Sequence, residues 1–175
     1  IPLGKIVQKS FLPINDESHF EVSVRAPEGT SIEQTTIIGE RIARRVRTME
    51  GVQFTLTTVA EDQQKTSNLA KIYVRLVDSK DRKYTQNEMM ARVRNEVMPE
   101  QPKELRLIVA EVQAISGGGS SAANIQYTLS GPDLKQLTKY VQNIYEEVKK
   151  LPGAVDVDTS LVLGKPEIIA RVDRK

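Results

Sequence analysis

The sequence contains no cysteine, which excludes disulfides, thiolate metal sites and cysteine nucleophiles together while leaving the redox compartment open. It has a single histidine, His19, so a histidine-based metal cluster or a Ser-His-Asp arrangement has to rest on that one ring. No stretch approaches the roughly 18 uninterrupted apolar residues that cross a bilayer. The N-terminus lacks a signal peptide's basic region, apolar run and small-residue cleavage site, so the chain taken alone is expected to be soluble. Nor is one sign of charge in excess. The 25 Lys and Arg are interspersed with 23 Asp and Glu for a net charge of +2, which argues against nucleic acid or anionic membrane as partners. What is present is a 175-residue chain with 39% apolar residues, enough for one ordinary domain or two small ones with a real core.

Alternation in His19-Phe20-Glu21-Val22-Ser23-Val24-Arg25 puts Phe20, Val22 and Val24 on one face, the mark of a half-buried strand. Pro27-Glu28-Gly29 turns the chain, and Ser31 with Gln34 makes a capping pattern ahead of Ile38, Ile42, Val46 and Met49, which predicts a helix ending at Gly51. Val52, Phe54 and Leu56 alternate, as do Ala70, Ile72, Val74 and Leu76, with a polar stretch from Ala60 to Asn68 between the two expected strands. Thr85 and Glu88 supply a second capping box, Met89, Val93 and Val97 share a helical face, and Pro99 closes that segment before an apolar run from Leu105 to Val112. The first unit therefore reads βαββαβ.

Ser116-Gly117-Gly118-Gly119-Ser120-Ser121 has too few apolar side chains to join either neighbouring core and marks a boundary. Beyond it, Ile125, Tyr127 and Leu129 alternate. Gly131-Pro132-Asp133 then opens a helix with Leu134, Leu137, Val141, Ile144, Val148 and Leu151 on one stripe, and Pro152-Gly153 stops it. Val155 with Val157, and Ile168 with Ala170 and Val172, predict two more strands, so the second unit reads βαββ. Proline turn, helix, glycine and strand recur with Pro27 and Gly51 in the first unit and Pro132 and Gly153 in the second, at offsets of 105 and 102 residues. That pattern fits either a duplication or two instances of a common supersecondary unit.

The candidates for chemistry are sparse. His19 lies on the polar face of its strand and reads as a solvated histidine. Glu61-Asp62 and Glu146-Glu147 are sequence neighbours that point apart, with no apolar pocket to raise a pKa. Gly117 to Gly119 lacks the spacing of a phosphate-binding loop and reads as linker. Met89-Met90 fits core packing better than soft-metal binding. No metal, cofactor or catalytic set is expected. The segment Ala60-Glu61-Asp62-Gln63-Gln64-Lys65-Thr66-Ser67-Asn68 is longer than a hairpin needs, so it is either functional or mobile.

Ile1-Pro2-Leu3, Phe11-Leu12-Pro13, Asp16, Phe20, Pro27-Glu28-Gly29-Thr30-Ser31, Asn68, Gly131-Pro132-Asp133-Leu134, Pro152-Gly153, Val155-Asp156-Val157 and Gly164-Lys165-Pro166-Glu167 form an ordered set. It closely resembles the second large periplasmic loop of the resistance-nodulation-division family, hydrophobe/amphiphile type. The resemblance implies an α+β fold: a ferredoxin-like βαββαβ porter subdomain over residues 14–115, a linker over 116–122 and the half-repeat βαββ over 123–175, with 1–13 leaving a transmembrane helix. It also implies a proton-driven antiporter in the inner membrane of a Gram-negative-type bacterium, with this segment on the periplasmic side. Its partners would be a homotrimer of its own kind, a periplasmic adaptor, an outer-membrane channel and small amphiphilic substrates.

By position, Ala60, Glu61, Asp62, Gln63, Gln64, Lys65 and Asn68 resemble the family's switch loop, and Tyr73, Ile108 and Ala110 fall where the family lines its pocket. Drug pumps of this family place phenylalanines and glycines in that loop, whereas this one is polar. The isolated chain is expected to dimerise through an unpaired strand at Ile125 to Leu129. An RNA-binding module shares the βαββαβ pattern and is the alternative, though the third strand carries one aromatic and no glycine-aromatic signature. A small acid-base hydrolase would need Glu61, Asp62 and His19 to converge.

Overall fold

The computed structural model describes residues 16–62, 64–112 and 125–161. Residues 1–13, the linker 116–122, Gln63 and the strand expected at Ile168 to Val172 lie outside the described residues.

Four strands, β1 (His19–Arg25), β2 (Val52–Val59), β3 (Leu69–Leu76) and β4 (Arg106–Glu111), form one sheet in the order β2-β3-β1-β4. Every neighbouring pair is antiparallel. Helix α1 (Ile32–Arg47) follows β1, and α2 (Gln86–Arg92) follows β3. The alternation of β1 and β3 is obeyed residue by residue. Val22 stands opposite Ile72 on one side and Val109 on the other, and all three are fully buried. From the helices, Ile42, Ala43 and Val46 of α1 and Met89 and Met90 of α2 enter the same core cluster, as does Val93 just beyond α2. Both helices therefore cover one face of the sheet, as an apolar stripe on each requires.

The start signals of both helices hold, whereas α1 ends at Arg47, ahead of the stop expected at Gly51. The Ser31 hydroxyl accepts the Gln34 amide at 3.2 Å, and Thr85 and Glu88 close a reciprocal capping box, so the first-turn donors of both helices find acceptors. Past Arg92 the helix widens into a π-helical turn over Val93–Val97 and ends in a 3₁₀ turn over Met98–Glu100. Pro99 accounts for that ending, because it has no N–H to offer and its ring crowds the preceding turn. Val93 and Val97 stay buried through the change. Against β2, α1 approaches closely at Gly39, where an added Cβ would lie 3.0 Å from the Thr57 methyl and 3.3 Å from the Ala70 Cβ.

The second unit differs from the sequence expectation. Helix α3 (Leu134–Lys149) forms, capped by the Asp133 carboxylate, which accepts the Lys135 and Gln136 amides at 2.8 and 3.1 Å. Gly153, at φ 88°, takes the left-handed conformation that follows its last turn. Ile125 to Leu129 and Val155 to Val157, however, form no strand. Alternation makes a segment competent for a sheet, but a strand exists only when a neighbour accepts its hydrogen bonds. No described strand pairs with either segment. Tyr127 is left 83% exposed, and α3 buries no residue.

Candidate functional site

The helices cover one face of the sheet and, among the described residues, leave the other open, with Phe54 and Leu56 exposed there. Strand geometry sends alternate side chains of each strand to that open face. On it, Tyr73 of β3 stands between Leu56 of β2 and Glu21 of β1, and Ala110 of β4 flanks Glu21 on the far side. One row further along, Ile108 lies opposite Ser23, which lies opposite Lys71. The three residues placed in a pocket by the resemblance, Tyr73, Ile108 and Ala110, thus share one face and adjacent rows.

Sequence reasoning missed the apolar half of this face. Val52, Phe54 and Leu56 read as one inward-facing series, but the register shifts between Val52, which pairs with Leu76, and Phe54, which pairs with Arg75. A bulge of one residue flips every following side chain to the other face. Phe54 and Leu56 therefore stand on the open face, 48% and 57% exposed, while Thr55 and Thr57 turn toward the helices. Their hydroxyls are buried there without a hydrogen-bond partner. The short apolar run with threonine at alternate positions was the available signal, since either phase satisfies it.

Aromatic rings gather at one end of the open face. The Tyr73 ring lies 5.6 Å from that of His19 and 6.3 Å from that of Phe54, both tilted, which is the range of favourable ring contacts. His19 sits on a central strand, its side chain 19% exposed rather than solvated as the sequence suggested. Its Nδ1 lies 2.9 Å from the Glu17 carbonyl oxygen and its Nε2 is 3.4 Å from the Glu17 carboxylate. Toward the other end, the Lys71 ammonium pairs loosely with Glu21 at 3.9 Å.

The polar loop between β2 and β3 is closed on itself. The Asp62 carboxylate accepts the Thr66 amide at 2.7 Å and the Thr66 hydroxyl at 2.5 Å, and the Lys65 amide returns to the Asp62 carbonyl at 2.9 Å. Hydrogen bonding from Thr66, first from its hydroxyl and then its amide, holds the Asp62 carboxyl below its ordinary range against the opposing effect of burial. Ala60 and Lys65 both take positive φ, 55° and 49°. Glu61 reaches back to accept the Thr58 hydroxyl at 2.7 Å, which sets its carboxylate beside the open face. Gln64 and Lys65 lie between Asp62 and Thr66 in this closed turn.

Asn68 is different in kind. It is 3% exposed, and its amide donates to the Ala26 carbonyl at 2.8 Å and to the Glu28 carboxylate at 3.3 Å. It ties β3 to the turn before α1 and lines no surface. Among the described residues no three His, Asp or Glu side chains come together in a group able to hold a metal ion. Glu61, Asp62 and His19 are engaged separately, with Thr58, Thr66 and Glu17.

No helix among the described residues is long and apolar enough to cross a membrane. The fold is similar to that of a heavy metal efflux pump known from a crystal structure, with a TM-score of 0.63 at 17% sequence identity. The match covers 89% of this chain and 17% of that one, so the present sequence spans about a sixth of the pump's length. Residues 3–175 match the AcrB/AcrD/AcrF family. Spanning nearly every residue of the chain, that match decides its relationship: the chain belongs to the AcrB/AcrD/AcrF family of resistance-nodulation-division efflux transporters.

Proposed function

We propose that this segment is a periplasmic porter piece of an inner-membrane, proton-driven efflux transporter, and that the open face of its sheet lines the path of small amphiphilic substrates. The observation that carries the reading is the apolar group made by exposed Phe54 and Leu56 and half-buried Tyr73, on the same face as Ile108 and Ala110, in a chain of an efflux transporter family. A sheet face of this kind offers ring contacts and apolar area to a substrate, with polar groups at its borders to orient it. The strand order β2-β3-β1-β4 with both helices on one face supports a ferredoxin-like subdomain over 14–115, followed after a linker by part of a second unit. In the whole transporter this piece works within a homotrimer, with a periplasmic adaptor and an outer-membrane channel. It makes and breaks no covalent bonds.

The polar loop borders this path as a gate through Glu61, Asp62, Gln64 and Lys65, whereas Asn68 holds the fold. The RNA-binding alternative gains nothing from the structure, since β3 presents Tyr73 as its single aromatic, and the family is one of transporters. The test is efflux by the full-length transporter carrying Phe54→Ala and Tyr73→Ala together. The expected outcome is a changed profile across a panel of amphiphilic compounds, with loss of about tenfold for the most apolar ones, at unchanged protein level in the membrane. An unaltered profile would remove the face from the substrate path.

A further inference from the structure

Among the described residues, strand β4 is an edge of the sheet, so half of its backbone groups face no described strand. An exposed edge invites pairing with any passing strand. At Val109 the vacancy is filled by two side chains. The Val109 amide donates to Asp156 Oδ2 at 3.1 Å, and the Val109 carbonyl accepts from the Arg94 guanidinium. Arg94 Nε in turn lies 2.7 Å from the same Asp156 oxygen. The pair thus gives one residue of β4 both the acceptor and the donor that a neighbouring strand would give.

The two side chains come from opposite parts of the chain. Arg94 stands in the π-helical turn after α2, and Asp156 follows α3. Asp156 holds φ 54° to make the contact, a conformation costly for most residues and tolerated by Asp and Asn. The pair is largely shielded, at 21% and 10% side-chain exposure. A second contact two residues on, Arg106 to Asp158 at 3.4 Å, is longer and more exposed. Since α3 itself buries no residue, this polar strap, with the contacts of Arg106 to Asp158 and the Thr159 carbonyl, ties the described segment after α3 to the first unit.

We propose that Arg94, Asp156 and the Val109 backbone form a latch that fixes the segment after α3 to the edge of β4 and thereby sets where α3 stands relative to the sheet. When the latch opens, α3 is free to swing and the β4 edge is open to a strand. The latch rests on the geometry of this chain and does not depend on the transport reading. The absence of cysteine makes the test direct. Spin labels attached at Arg44→Cys on α1 and Lys139→Cys on α3 report their separation in the full 175-residue chain, while amide exchange reports the Val109 N–H.

Asp156→Asn keeps the backbone conformation and removes the charge. It should speed Val109 exchange about tenfold, the loss of one charge-assisted bond, and broaden the distance distribution, with the Val22 and Ile72 amides unchanged. Arg94→Gln should do the same, Arg94→Lys should fail to rescue because it lacks the fork, and the double variant should add nothing to either single one. Should an Arg94 substitution unfold the first unit, Asp156→Asn alone decides, since its carboxylate lies outside the apolar core. Unchanged Val109 exchange in Asp156→Asn, or a distance distribution as narrow as the parent's, would overturn the latch. So would an equal effect from Asp158→Asn.

Discussion

At the scale of single residues, the least forgiving site is Arg82. Its side chain is 2% exposed, and its guanidinium donates to the Asp16 carboxylate, the Ser18 hydroxyl and the carbonyls of Val77 and Tyr84. Asp16 also accepts the amides of Ser18 and Gln86, so one carboxylate joins the start of β1, the end of β3 and the first turn of α2. Burial opposes ionisation of Asp16, but the Gln86 amide, Arg82 and the Ser18 amide together hold its pKa below the ordinary 3.8. A depressed folded pKa stabilises the fold above the unfolded value and ceases to do so as pH falls through the folded one. Asp16→Asn should therefore cost about 3 kcal/mol in urea unfolding at neutral pH, because Arg82 is left buried without its partner. The gap to the parent should close as pH drops below about 4. A gap that stays constant down to pH 2 would assign the loss to packing instead. None of this was legible in the sequence beyond the presence of Asp16 in a family motif, because residues 66 positions apart meet only in the fold. Asn68 teaches the same lesson: a polar residue at a loop end reads as a surface group until burial shows that it is a tie.

At the scale of elements, β1, β3, α1 and α2 were legible, because each carries a periodic apolar series and a start or stop signal that tertiary contacts reinforce. Strand β2 was legible as a strand but not in its phase. The bulge after Val52 is set by pairing with β3, and no local signal in Val52 to Val59 specifies it. Its cost is visible in the two orphaned hydroxyls of Thr55 and Thr57. Thr57→Val replaces a buried hydroxyl that has no partner by a methyl of the same shape. It should stabilise the protein by about 1 kcal/mol and raise the melting temperature by roughly 5 °C for a domain of this size. Calorimetry that shows Thr57→Val less stable than the parent would mean that the hydroxyl is satisfied in solution.

At the scale of the whole molecule, the two units differ in how much apolar surface they bury. The first encloses a continuous core. In the second, Leu134, Tyr140 and Ile144 along α3 and Leu151 and Val155 after it are exposed, and the strand expected to mediate a dimer, Ile125 to Leu129, is not formed. Covering a few hundred Å² of such surface is worth several kcal/mol at about 25 cal/mol per Å², before the entropic cost of association. The isolated chain should therefore self-associate through α3 at tens of micromolar, and Ile144→Glu should return it to a monomer. Sedimentation velocity that shows a monomer for the parent over that range would exclude this. The sequence by itself determined which segments have a face to bury and where helices begin and end, because periodicity, caps and turn residues act within a few positions of one another. It also carried the ordered motifs by which the family is recognised. Only the tertiary structure decided which way Phe54 and Leu56 face, that Asn68, Arg82 and Asp156 work as ties, and that Ile125 to Leu129 stays out of a sheet. The facing of β2 and the ties depend on partners supplied by distant parts of the chain, which residues a few positions apart do not specify.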